Sequence, residues 1–187
     1  MQTKGVEEIS PQRKYHGIST QIIEQIKNVC VPFNIDTGVG DIISPGPKSA
    51  QSIRSSPDFE ALIIKTYSLE ITIAEKFDAI LQRFELTGRM KDFYNIYYLS
   101  MTLNFEGEGL QSAILSTLKR RGTLYDRDSF KRVVSLANDE DMQKRWKYFL
   151  KTTKDDTLEF LFVIAEVHAF LGPVFENNII EIQSFKT

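Results

Sequence analysis

The sequence is poor in several things that would assign it quickly. It has a single cysteine, Cys30, so no internal disulfide framework can form, and only two histidines, His16 and His168, too far apart for metal-ligand spacing. No Ser/His/Asp arrangement and no glycine-rich phosphate loop is present, which argues against most nucleophilic and phosphate-loop enzymes. Long hydrophobic runs are missing too. The longest, Leu158 to Phe175, is interrupted by Glu159, Glu166, His168 and Pro173 and reads as a buried helix rather than a membrane span. The start, Met1-Gln2-Thr3-Lys4, has no apolar stretch to serve as a signal peptide, so a reducing, cytoplasmic setting is expected. No internal repeat is found.

What is there is ordinary globular composition. The 187 residues are 42% apolar and 26% charged, enough for one core or two small ones. The net charge of −2 conceals an uneven distribution: residues 83–154 hold 14 basic and 9 acidic groups, whereas residues 155–187 hold 1 and 6. A middle third at net +5 suits phosphate contact, and a set of solvated helix faces gives the same count.

Periodicity changes once along the chain. Met1 to Ser10 has no consistent apolar pattern and is expected to fray. Tyr15 to Asp36 alternates as β-structure, with a turn at Lys27-Asn28; Pro32, lacking an amide donor, predicts an edge strand. The alternation puts Asp36 on the face opposite Val31, Phe33 and Ile35. Glycine, proline and serine dominate Gly38 to Pro57, which reads as a loop of about twenty residues. After Leu62-Ile63-Ile64 the chain turns helical. Leu69, Ile73, Phe77, Ile80 and Phe84 form one stripe behind an N-cap at Ser68. Thr87-Gly88 interrupts, and a helix from Arg89 to Met101 is apolar or aromatic on most sides. Further helices are predicted over Glu108–Arg121 (ending at Gly122), Asp128–Ala137, Glu140–Lys151, and a last one with an Asp156/Glu159 capping box that Gly172-Pro173 should stop. The expected fold is α+β: an N-terminal β-hairpin or small sheet with its loop (1–66) packed on a C-terminal helical bundle (67–187).

One segment is more specific than its surroundings. Tyr67-Ser68-Leu69-Glu70-Ile71-Thr72-Ile73-Ala74-Glu75-Lys76-Phe77-Asp78-Ala79-Ile80, followed by Arg89-Met90-Lys91-Asp92-Phe93-Tyr94-Asn95, resembles the abortive-infection nucleotidyltransferase toxins of the AbiEii/AbiGii type, the toxin halves of toxin–antitoxin pairs. The resemblance extends upstream through Asn34-Ile35-Asp36-Thr37-Gly38-Val39-Gly40-Asp41 and downstream through Arg120-Arg121-Gly122-Thr123, roughly residues 13–125. It implies a partial nucleotidyltransferase sheet and a parent activity that moves a nucleotide from a nucleoside triphosphate (NTP) to an RNA acceptor, in related members the 3′ end of a transfer RNA.

The residues alone leave two readings open for Lys76, a boundary lysine reaching water or one whose stem packs while its ammonium meets a triphosphate. Asp92 alone would be a first-turn helix acid. The resemblance makes Lys76 and Asp92 active-site residues, with Arg89 and Lys91 a basic rim for the nucleotide and Asp36 the strand carboxylate of a Mg2+ site. Asp41 and Glu75 are expected to hold loop and helix in place. Lys119, Arg120 and Arg121, with Arg127, Lys131 and Arg132, are the candidates for an RNA backbone.

Two departures stand out. The family's glycine turn followed by Asp-x-Asp or Asp-x-Glu on a strand, which holds the catalytic metals, is not found. Asp126-Arg127-Asp128 and Asp139-Glu140-Asp141 have the spacing but sit at expected helix starts and read as caps. Asn95 also stands where the family more often has aspartate. The resemblance therefore begins partway through the family's domain, implying either truncation or completion by another polypeptide. Besides catalysis, two alternatives follow: an inactive module that binds a nucleotide, an RNA or a cognate antitoxin, and an inert remnant. Apolar surface left by a missing unit would favour self-association.

Overall fold

The computed structural model describes residues 2–9, 17–38, 46–52, 58, 60–84, 88–126, 128–153 and 157–184, with side chains to residue 174. Strands come first and helices afterwards, so the fold is α+β as expected. The chain divides into two compact units, residues 1–43 and 44–187.

The first unit is a three-stranded antiparallel sheet, β1 (Gln2–Ile9), β2 (Gly17–Ile26) and β3 (Val29–Gly38), in the order β1-β2-β3. The Lys27-Asn28 turn is where alternation placed it. Lys27 takes a left-handed φ of 54°, and its carbonyl accepts a hydrogen bond from Gln25 Nε2 at 3.1 Å. Pro32 lies on an edge strand, where a missing amide can face away from the ladder. The strand pairing sets Ser19 opposite Asp36 and Ile22 opposite Phe33, so Asp36 and Phe33 lie on opposite faces.

Residues 2–9 do not fray, contrary to expectation: they pair with β2 from Gln2↔Ile23 to Ile9↔Gly17, with an irregularity between Thr3 and Gly5. Seven of these eight residues are exposed. A strand with little to bury carries no alternation to read, and backbone pairing alone defines it.

The second unit begins with a two-stranded antiparallel sheet, β4 (Lys48–Gln51) and β5 (Ile63–Thr66). The twenty-residue loop expected over Gly38–Pro57 therefore contains a strand; residues 39–45 and 53–57 lie outside the described residues. Ser52 continues the pairing, its amide donating to Leu62 O at 2.8 Å and its hydroxyl accepting from Leu62 N at 2.9 Å. A four-residue strand rich in serine and lysine gave no β signal of its own.

Six helices follow: α1 (Leu69–Arg83), α2 (Met90–Thr102), α3 (Gly107–Arg121), α4 (Ser129–Ser135), α5 (Glu140–Thr153) and α6 (Phe160–Ser184). Helix α1 is central, packing against α2, α3 and α4, while α6 covers α2, α3 and α4 from another side. The middle of the α1 stripe does what the spacing predicted, with Ile73, Phe77 and Ile80 fully buried, whereas Leu69 at its start is 43% exposed. Each buried side chain contributes about 1.5–3 kcal/mol. Phe77 meets Phe130 edge to face at 5.4 Å, and Phe93 of α2 meets Phe160 of α6 in the same way.

The capping reads as expected at both ends of the α1–α3 region. Ser68 Oγ accepts from Ile71 N at 3.3 Å, and Gly122 takes the left-handed φ of 65° that ends α3. Asp139 Oδ1 accepts from Met142 N at 2.8 Å, capping α5. At α4 the cap is displaced. Asp128 makes no side-chain cap, and Asp126 instead accepts from Asp128 N, Ser129 Oγ and Arg132 Nη2. The Asp156 capping box lies outside the described residues.

Helix α6 does not stop at Gly172-Pro173 but runs on to Ser184 with Pro173 inside it. The turns before the proline are anchored by buried Val163, Val167 and Leu171, so the one hydrogen bond lost does not end the helix.

Candidate functional site

Two charged clusters grow from α1, and its 3.6-residue period separates them. Lys76 points toward α2, whereas Glu75 and Asp78 point toward α3.

In the first cluster Lys76 Nζ donates to Asp92 Oδ1 at 3.4 Å, and Arg89 Nη1 donates to Asp92 Oδ2 at 3.3 Å. The Asp92 side chain is 10% exposed, Lys76 is 23% and Arg89 is 51% exposed. Asp92 is held on the first turn of α2, where the helix dipole adds to the attraction of the two cations. The structure thus brings together Lys76, Asp92 and Arg89, which lie apart in sequence. Lys91 is exposed beside them.

This cluster opens on a cavity of about 590 Å³ between the start of α2 and the face of α5. Gly88 to Asp92 form one wall; Lys144, Arg145, Tyr148, Phe149 and Thr152 form the other. No motif pointed to the α5 wall. The one trace of it in the sequence is that residues 144–153 carry four cations and no acid. Behind this wall Tyr94 of α2 meets Phe149 edge to face at 5.7 Å and stacks on Tyr98 at 6.3 Å, which ties α5 to α2.

The second cluster centres on a buried carboxylate. Asp78 is fully buried and accepts from Thr123 Oγ1, from Gln82 Nε2 at 3.0 Å and from Arg121 Nη1 at 3.3 Å. Glu75 Oε1 takes Arg121 Nη2 at 3.0 Å and Arg120 Nη2 at 3.4 Å. Gly122 makes this possible: the amides of Gly122 and Thr123 return to the carbonyls of Lys119 and Leu118, which sets Thr123 against Asp78. The Arg-Arg-Gly-Thr run is therefore a brace between α3 and α1. Of the three residues expected to face an RNA backbone there, Arg120 and Arg121 are engaged by α1 carboxylates and Lys119 is exposed.

Asp36 sits in the first unit, exposed, accepting from Ser19 Oγ at 2.6 Å. Asp41 lies outside the described residues. A magnesium ion wants several oxygen ligands, and both oxygens of Asp92 already accept from cations. Among the described residues no three His, Cys, Asp or Glu side chains converge. The described residues do not by themselves fit a magnesium site, and no step below depends on one. Both Asp-x-Asp runs stand at helix starts, Asp126 and Asp139 serving as the hydrogen-bonding acids.

Compared with known proteins, the chain is matched over residues 2–171 by the sequence model of one family, described as nucleotidyl transferase AbiEii toxin of a type IV toxin–antitoxin system. The match is wider than the motif-bearing segment and takes in β1 at one end and most of α6 before Pro173 at the other. No curated protein and no solved structure matches.

Proposed function

The chain belongs to the nucleotidyl transferase AbiEii toxin family, and we propose that it binds a nucleoside triphosphate at Lys76, Arg89 and Lys91 for transfer of the nucleotide to an RNA acceptor. The observation that carries this is the convergence of Lys76 and Arg89 on Asp92, which together with Arg89 and Lys91 lines an open cavity. The carboxylate at the centre of the other cluster, Asp78, is instead fully buried beneath three side-chain donors. Here Arg89 and Lys91 line space for a ligand, and Lys76 reaches the carboxylate that lies on the same wall.

The chemistry expected of these residues is positioning and charge neutralisation. The Lys76 ammonium would exchange its long hydrogen bond to Asp92 for a phosphate oxygen, with Arg89 and Lys91 spreading the remaining charge. Asp92 would then be free to accept the proton of an attacking hydroxyl or to orient it. Asp36 and Mg2+ stay expectations of the family resemblance, and the roles given to Lys76, Arg89 and Asp92 do not draw on them. Membership in a toxin–antitoxin family also makes a cognate antitoxin an expected partner, and no helix among the described residues is long and apolar enough to cross a membrane.

A second reading, a nucleotide-binding module without transfer, is favoured by one finding: both Asp-x-Asp runs stand at helix starts, where Asp126 and Asp139 accept backbone amides and Asp128 and Asp141 pair with lysines. The two readings separate in a transfer assay with radiolabelled NTPs and bulk transfer RNA, in magnesium and in chelator. Label on the RNA in magnesium alone supports transfer. Binding without label under both conditions supports the module.

A further inference from the structure

The three-stranded sheet of the first unit has two unlike faces. Strand register puts Ser19 in one row with Glu7 and Asp36, and Gln21 in the next with Gly5 and Asn34, so one face is polar. The other carries Ile22 at its centre, 4% exposed, paired to Thr3 on one side and Phe33 on the other. Around Ile22 the apolar side chains are open. Val29, Val31, Phe33 and Ile35 of β3 are 40–61% exposed, and Ile18, Ile26 and Val6 stand at 38%, 60% and 63%. An antiparallel sheet with one apolar face commonly packs that face on a core. Here these side chains leave roughly 600 Å² of apolar surface uncovered, the upper end of what a monomer shows.

Three observations bear on what covers it. Charge argues against a nucleic acid or an anionic membrane, because the charged residues among the paired positions of this face are Glu8 and Glu24 alone. Both edges are guarded against strand addition: β3 by Pro32, which has no amide to give, and β1 by the register break between Thr3 and Gly5. The area fits a second copy. Two such faces stacked would bury about 1,200 Å², the lower bound of a stable, specific interface, and a twofold axis uses both faces at once, so assembly stops at two. We propose that the chain forms a homodimer by stacking these sheet faces, the β-branched side chains interdigitating as in a sandwich and Asp36 staying on the outer, solvated side. The interface lies within residues 1–43 and does not call on the Lys76 cluster.

The test is sedimentation equilibrium of the full chain across micromolar concentrations, with variants on the two faces of β3. Wild type is expected at twice the 21.5 kDa chain mass at the upper end of that range, in high salt as in low. Phe33→Glu puts a charge on each side of the interface and should weaken the dimer roughly hundredfold or more, whereas Asn34→Glu, its neighbour on the polar face, should leave it unchanged. If a thermal melt shows that Phe33→Glu does not fold, thiol reactivity decides. Val31→Cys in a Cys30→Ser background should react with a maleimide more slowly as the protein is concentrated, and wild-type Cys30, exposed on the polar face, should react at one rate throughout. A monomer at every concentration overturns the proposal, as do assemblies larger than two and a dimer that high salt dissociates. So do a dimer kept by a folded Phe33→Glu, a dimer lost equally in Asn34→Glu, and a Val31→Cys thiol whose reactivity ignores concentration.

Discussion

Two ion clusters that start within one four-residue stretch of α1 differ in character. Glu75 and Asp78 are held by Arg120, Arg121, Gln82 and Thr123 around the fully buried Asp78 carboxylate, whereas Lys76 and Arg89 share the carboxylate of Asp92, which lines a cavity. Both clusters are built from residues in the segments that resemble the toxin family. Family resemblance alone therefore cannot tell a brace from a site. The carboxylate at the centre of each can: Asp78 is fully buried with three side-chain donors, whereas Asp92 is 10% exposed and lines a cavity.

The comparison breaks most sharply at Asp78. Asp78→Ala strips a buried carboxylate from Arg121 and Thr123 and should cost about 3–5 kcal/mol in urea unfolding, because the partners stay desolvated. Lys76→Ala should do the reverse. It should change stability by less than about 1 kcal/mol, as expected for a partly exposed ion pair, while weakening NTP binding by roughly tenfold or more, the worth of a charged hydrogen bond. A Lys76→Ala protein as unstable as Asp78→Ala would erase the distinction.

Smaller effects follow from the end of α1 that carries both clusters. Ser68→Ala removes the cap on Ile71 N and should cost about 1 kcal/mol, seen as a lowered melting temperature with both clusters affected alike. Glu70 gives the least. Hydrogen bonding to its own backbone amide holds its carboxyl below the ordinary glutamate value. Partial burial works against that shift, and the Ser68 hydroxyl and the Lys48 charge add to it. Its contribution is therefore complete above the ordinary glutamate pKa and fades as the pH falls through the lowered one. Glu70→Gln should flatten the stability curve slightly in that acid window alone, and a curve unchanged from wild type there would contradict the assignment.

The features legible in the sequence were those enforced by burial or by a single backbone requirement. The α1 stripe, the β2–β3 turn, the Ser68 cap and the left-handed Gly122 each follow from a local physical rule. The strands β1 and β4 were not legible, since exposed or very short strands draw their stability from pairing and need no pattern of their own. Pro173 misled because tertiary packing of α6 outweighs one missing hydrogen bond. Within the candidate site, Lys76, Asp92 and Arg89 were legible through the family's motifs. The α5 wall was not, because Lys144, Arg145 and Tyr148 become neighbours of Asp92 only when α5 packs on α2.

The central claim, that the Lys76 cluster is a triphosphate site and the Asp78 cluster a brace, is tested most directly by isothermal titration of wild-type and Lys76→Ala protein with each NTP, in magnesium and in chelator. The account predicts that at least one NTP binds the wild type and that Lys76→Ala weakens it roughly tenfold or more with the fold intact. Equal binding by the two proteins, or no binding by the wild type under either condition, would contradict it.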